Sequence, residues 1–510
     1  MKLENIKEHL WNRDTSIRWL LFFAALILVT MLGARELWTQ EWRWADISWN
    51  MMYRGDYLHP YLGDAPYYDK PLLSYWLMIA FSYLMGGLSE WSLRLPAVLA
   101  GILAVFCTYK VGTQLLDRKV GLMAGWMLIT TFYFIFWGRT GNTDMLNVAS
   151  IMLGVAWYVT RRETPGFSSY SIFFLILAVG ALFKGLVAVV ITTLAILPDL
   201  LHNKTWRKHL RWSLIPAAVP ALIVYLIPFL ASTYFDGQQA YGESGLYFVY
   251  RENILRYFQP FDHQDPFYIY FIYLPVYLFP WIVFFIPALG SLYKRWTKMP
   301  WESRWLVWSV LIIFLFLTLS GSRRNYYVLP LVPFAILLTA DWIVTGIKRS
   351  ALAFYTLIVS YVVLFSYFCI LTPLANSNGG SRPFAHEVHT EAALIKPWSQ
   401  WHLVFLDAES KLTLYMQPAF PVKMLGLPPD PPGMPERTRA TFYGPELIKL
   451  WPIVTTHPTD TIFITRKIYV NELKPWLKDY KVIIAKSTLS EKLFEKDDSD
   501  NAAAFIPTKP

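Results

Sequence analysis

Eleven apolar stretches, each close to the length that crosses a bilayer, dominate this chain. A spanning helix needs about 17–25 mostly apolar residues. The stretches lie near 17–34, 95–115, 120–138, 144–160, 169–183, 186–202, 212–231, 267–289, 304–320, 326–344 and 351–373. Lipid gives unpaired backbone groups no partner, so each run is expected to be helical. Residues 169–202 also suit a re-entrant pair. The expected fold class is a polytopic α-helical membrane protein of about 11 spans (11–13 at the outside), with a large first extracytoplasmic loop and a C-terminal soluble α/β domain. Composition agrees. Charged residues make up 16% of the chain, well below the roughly 25% of soluble domains. Cys107 and Cys369 sit inside apolar runs, which argues against both a disulfide scaffold and a thiolate metal site.

Loop charge sets the expected orientation. With the N-terminus in the cytoplasm, the inner segments carry 18 basic residues, among them Arg118, Lys119, Arg161, Arg162, Lys204, Arg207, Lys208 and Arg211. The longer outer loops before residue 376 carry 11. The positive-inside rule supports this arrangement. It makes residues 1–373 a transmembrane domain, 35–94 its first extracytoplasmic loop, and 374–510 an extracytoplasmic α/β domain. The first run has no cleavage site and reads as a retained anchor. Residues 72–88 are apolar enough to span, but a span there would turn the basic clusters outward. They are expected to form an interfacial helix. In the tail, HLVFLD, PVKML, DTIFIT and KVIIA read as strands. SKLTLYM, PELIKLWPI and YVNELKPWLKDY read as helices, LPPDPPGMPE as a loop, and the last fifteen residues as mobile. The basic residues fall between apolar runs rather than along a soluble face, so nucleic acid is not an expected partner.

Charge close to lipid is costly unless it is paired, solvated or used. On the expected outer side the loops bring Glu41 and Arg43, Asp69 and Lys70, Arg139 and Asp144, Lys184, Arg251, Arg256, Asp262 and His263, and Arg323 and Arg324. Cations there suit an anionic lipid headgroup, and guanidinium groups grip phosphate through paired donors. A nearby carboxylate can accept a proton from a hydroxyl. The pattern points to group transfer from a lipid-linked phosphate donor. Each residue also has a plainer role. A lone arginine commonly meets headgroups, Asp144 suits a helix N-terminus, and His263 suits a structural position. No certain cofactor is named. A divalent metal would need the fold to bring Asp69 and His263 together.

The order of these motifs resembles the GT-C type membrane glycosyltransferases. The bacterial branch with aminoarabinose transferases of lipid A and protein O-mannosyltransferases is the most similar. The resemblance covers roughly residues 17–345. It implies an inverting transfer of a sugar from a polyprenyl-phosphate carrier to an extracytoplasmic glycolipid, glycan or protein. It also implies that Asp69-Lys70-Pro71 matches the family's Glu-Lys-Pro, with Lys70 facing the carrier phosphate. Arg43, Lys184, and Arg323 or Arg324 with Tyr326 are implied as further donor-phosphate contacts, and Arg139 is expected as another from its place in the second outer loop. Glu41, Asp69 and Asp144 are the implied catalytic acids, and His263 is an implied acceptor or metal contact. Where the family has Asp-Glu in its first motif, this chain has Gln40-Glu41. An amide accepts no proton, so either Glu41 serves as base, or the acceptor is already ionised, or activity is altered. A polysaccharide ligase or polymerase, a polyprenyl-lipid transporter and a non-catalytic accessory protein are the alternatives.

Overall fold

The structure is a computed structural model. It describes residues 15–38, 40–63, 65–235, 245–377, 379–408, 411–420, 422–425, 459–475, 477–493 and 498–509. The chain divides into two compact units. One holds residues 1–32, 68–85 and 91–369, and the other 33–67, 86–90 and 370–510.

The first unit is helical. Each of the eleven expected spans corresponds to a helix or a bent pair of helices. Among the described residues, six helices are long and apolar enough to cross a membrane, and eight spans result if each of two bent pairs counts as one. The pairs are Arg118–Leu128 with Phe132–Gly138, bent by 69°, and Ile269–Tyr277 with Ile282–Gly290, bent by 119°. The first bend falls where Thr130 and Thr131 turn their hydroxyls back onto Trp126 O and Met127 O at 2.7 Å. The second contains Pro280, which has no N–H to continue the ladder. Three shorter apolar helices, Ser16–Val29, Leu73–Leu84 and Val187–Leu201, fall below spanning length. The Leu73–Leu84 helix lies in the segment expected to form a helix at the interface.

Helices at the centre of this unit are buried all round. Every residue from Val120 to Leu128 is buried. Close approach there relies on small residues: a Cβ on Gly112 would lie 2.7 Å from Gly121 Cα. Some of the polar groups in this core are satisfied across helices. Trp281 Nε1 donates to Thr130 Oγ1 at 3.1 Å and Trp305 Nε1 to Ala195 O at 2.7 Å, which avoids the penalty of an orphaned buried donor.

The second unit contains a five-stranded sheet in the order Lys423–Leu425, His402–Leu406, Thr461–Arg466, Ala502–Pro507, Tyr480–Ile484. The first three strands are parallel, and Ala502–Pro507 runs antiparallel to both of its neighbours. The Ser381–Ala393 helix covers one face through Phe384, Ala385, Val388 and Ala392. Tyr469, Val470 and Leu473 lie against the other. The four expected strands are present. The chain end differs from expectation, because Ala502–Pro507 forms an inner strand. Three consecutive alanines there pack where larger side chains of both neighbours fill the space, so the strand lacks the bulky signature used to recognise one. The helix expected over 469–480 is short, Val470–Leu473, and Pro475 follows it. The loop at 427–436 and the helix expected at 445–453 lie outside the described residues. Residues 33–67 supply the Glu41–Arg54 helix and a short hairpin, Tyr61–Leu62 with Ala65–Pro66. Asp46 Oδ2 joins these two by accepting Gly63 N–H at 2.7 Å.

Candidate active site

Four segments of the helical unit meet around a cavity of about 170 Å³. Asp69 and Lys70 come from the turn before the Leu73–Leu84 helix. Lys184 closes the Phe167–Lys184 helix, and Glu252 and Arg256 come from residues 245–258. Tyr327 comes from the entry to the 325–344 span.

Lys184 forms a buried ion pair with Asp144. Helix geometry favours both charges. Asp144 opens the Asp144–Arg161 helix, where the dipole is positive, and Lys184 ends its own, where it is negative. The ammonium also lies 5.6 Å from the Tyr326 ring centroid and 5.0 Å from that of Tyr327, within cation–π range. Gly185 is needed for the turn that follows. Its φ is +100°, and a Cβ would approach Asn253 Oδ1 to 2.5 Å. That same oxygen accepts Leu186 N–H at 2.6 Å. Gly185→Ala should therefore lower stability by about 1–3 kcal/mol, read as a drop in thermal midpoint. An unchanged midpoint would show that the turn tolerates a side chain.

The second charge cluster centres on Arg256. Its guanidinium reaches Glu252 Oε2 at 2.5 Å, Asp262 Oδ2 at 2.7 Å and Asp69 Oδ1 at 3.3 Å. Glu252 also binds Arg251 at 3.0 Å. Lys70 Nζ lies 2.9 Å from Asp69 Oδ2. A π-helical turn over Arg251–Leu255 precedes Arg256, a geometry found often at functional sites.

Burial, and secondly the Asp69 charge, hold the Glu252 carboxyl above the ordinary carboxylate range. Folded Glu252 thus keeps its proton to a higher pH than the unfolded chain does. Stability should fall as pH rises from the ordinary carboxylate range through the folded value, and Glu252→Gln should flatten that fall. Thermal midpoints of both proteins from about pH 4 upward would test this. Parallel curves would count against it.

His263 is pushed down to about 4, by burial first, with Arg324, Arg256 and Lys70 adding to it against the pull of Asp262. It is a neutral imidazole whose Nδ1 accepts Arg324 Nε–H at 2.8 Å. Its Nε2 is 3.4 Å from Asp262. With Nδ1 occupied, and with Asp69 paired to Lys70 and Arg256, this donor set does not fit a metal ion. No group of three or more His, Cys, Asp or Glu suited to a metal occurs among the described residues.

Other expected residues sit elsewhere. Arg139 donates to Ile27 O at 2.6 Å and Thr30 O at 2.8 Å, tying down the end of the first helix. Arg323 donates to Asp265 O at 2.7 Å and to Ser320 O, fastening one loop to another. Glu41 and Arg43 belong to the other unit. Glu41 is fully buried and accepts Trp38 N–H at 2.8 Å and Arg35 at 3.4 Å. Arg43 donates to Tyr67 OH at 2.9 Å. Sequence reading missed Glu252 and Asn253 and gave Arg256 no role in the site. The signal was present, since Glu252 and Arg256 are four residues apart, a spacing that joins charges on a helix.

A buried cluster of acids and cations thus lies beside apolar walls within the helical unit. The family model described as dolichyl-phosphate-mannose-protein mannosyltransferase matches residues 69–233. An undecaprenyl phosphate-alpha-4-amino-4-deoxy-L-arabinose arabinosyl transferase of Shewanella sediminis is 28% identical over 367 residues, 68% of this chain and 64% of that protein. The corresponding protein of Pectobacterium carotovorum is 27% identical, over 64% of this chain and 58% of its own length. The chain thus spans a little under two thirds of these curated relatives. ArnT from Cupriavidus metallidurans, solved bound to undecaprenyl phosphate, superposes with a TM-score of 0.70 at 14% identity, covering 97% of this chain and 98% of that one. The apo Archaeoglobus fulgidus oligosaccharyltransferase does so with a TM-score of 0.53 at 12% identity, over 93% and 74%. The chain therefore shares its fold with ArnT.

Proposed function

We propose that this chain is an inverting glycosyltransferase that moves a sugar from a polyprenyl-phosphate carrier to a glycolipid, glycan or protein outside the cytoplasm. The carrying observation is the cavity itself. It gathers Lys70, Lys184 and Arg256 beside apolar walls such as Val187, Val190 and Phe316, in the fold of a protein solved with undecaprenyl phosphate. A carrier has both parts, an anionic phosphate and a long apolar tail. The proposed topology is eleven passes in a bacterial inner membrane, with the N-terminus cytoplasmic and the 374–510 domain outside.

In the proposed reaction an acceptor oxygen attacks the anomeric carbon as the bond from that carbon to the phosphate oxygen breaks. The leaving electron pair stays on the phosphate. Lys70 and Arg256 stabilise it, and electrostatic stabilisation of this kind is commonly the largest catalytic contribution. Asp69 lines the cavity, and in this reading it takes a hydroxyl acceptor's proton. Asp144 holds Lys184, and Tyr327 closes the wall beside it. Glu41 and Arg43 order the first extracytoplasmic loop.

The test is transfer by the purified chain in liposomes, with radiolabelled undecaprenyl-phosphate sugars and lipid A, glycan and protein acceptors. Label in one acceptor class supports the reading. No transfer to any class, together with no binding of undecaprenyl phosphate, would overturn it.

A further inference from the structure

A second cavity, of about 210 Å³, lies at the far end of the two helices that carry Asp144 and Lys184. Asp144 opens an 18-residue helix that Arg161 closes, and Lys184 closes another 18-residue helix that starts at Phe167. Such a helix is about 27 Å long, close to the roughly 30 Å of bilayer hydrocarbon. In the proposed topology the two cavities therefore sit near opposite membrane surfaces.

The walls of this second cavity are apolar, with Trp157, Phe173, Phe174, Leu200 and Leu214 prominent, and its rim is basic. Arg162 is already matched, since it donates to Asp199 at 2.9 Å while Tyr158 donates to the same carboxylate at 2.8 Å. Arg161 lies over the Trp157 ring at 5.4 Å and forms no ion pair with a described residue. His209 lines the cavity too, and its Nε2 is buried with no partner among the described residues. Lys204, Arg207, Lys208 and Arg211 follow on the same turn, against Glu163 and Asp199 nearby. A greasy slot under an excess of cations at a membrane surface complements one chemical class: an anionic headgroup carrying an acyl chain.

We propose that this cavity binds one anionic phospholipid of the leaflet opposite the candidate active site, its chain against Phe173 and Phe174 and its phosphate on Arg161. The site clamps together the helices that carry the Asp144–Lys184 pair, but its occupancy does not depend on glycosyl transfer.

Native mass spectrometry of the full chain in detergent, titrated with phosphatidylglycerol or phosphatidylcholine, tests this. One phosphatidylglycerol per chain should be retained at about fivefold higher affinity than phosphatidylcholine, the effect of one arginine near the surface. Arg161→Gln, at an exposed position, should abolish that preference without changing the thermal midpoint. Ser169→Trp, which fills the slot, should remove the bound lipid altogether. Equal retention of both lipids, or unchanged binding in both variants, would overturn the proposal. So would displacement by glycerol 3-phosphate alone, which would mark a headgroup site with no use for the chain.

Discussion

Lys70→Ala should leave the protein folded and reduce sugar transfer by on the order of 10²–10³. The asymmetry follows from the local geometry. Lys70 is partly exposed and pairs with its neighbour Asp69 at 2.9 Å, so its removal disturbs little packing. An exposed or half-exposed pair of this kind contributes at most about 1 kcal/mol to stability. Its contribution to a leaving phosphate is larger, because charge develops there during the reaction. Initial rates in liposomes, with the thermal midpoint as control, give both halves of the expectation. A well-folded variant with near-normal rates would remove Lys70 from the mechanism.

Arg256→Leu should behave differently and lose both stability and activity. Its guanidinium neutralises Glu252, Asp262 and Asp69 at once. Without it, three carboxylates face one another with Lys70 and Arg251 as the nearby cations. Removing one partner from a buried network typically costs about 3–5 kcal/mol. Glu252→Leu in the same chain should recover part of that loss, since it removes one uncompensated acid, while transfer stays low. The double-mutant comparison separates the two roles. If stability is additive across the two sites, the pair does not interact in solution as it does in the structure.

The helices were readable because apolar runs of spanning length have few other fates. Lys70, Asp144 and Lys184 were readable because charge beside lipid needs a reason. The partners of those charges were not. Asp144 and Lys184 are forty residues apart, and their pairing depends on two antiparallel helices packing side by side. Arg256 looked like one of several loop cations until the π-helical turn placed it among three acids. Arg139 and Arg323 show the opposite failure: their charges mark sites where backbone carbonyls need donors. The inner strand at the chain end escaped notice because alanines carry little strand signal.

The composition of the second unit bears on how the protein is made. Leu37 N–H donates to Tyr415 OH, Arg382 pairs with Glu90, and the Glu41–Arg54 helix packs on Leu412–Met416. An early loop is thus completed by a segment that leaves the ribosome more than 300 residues later. At about 5–20 residues per second, that interval is roughly 15–70 s. Newly inserted chains must hold an unfinished loop for that time, so ribosome-stalled intermediates should be cut by protease within residues 33–67 while completed chains resist.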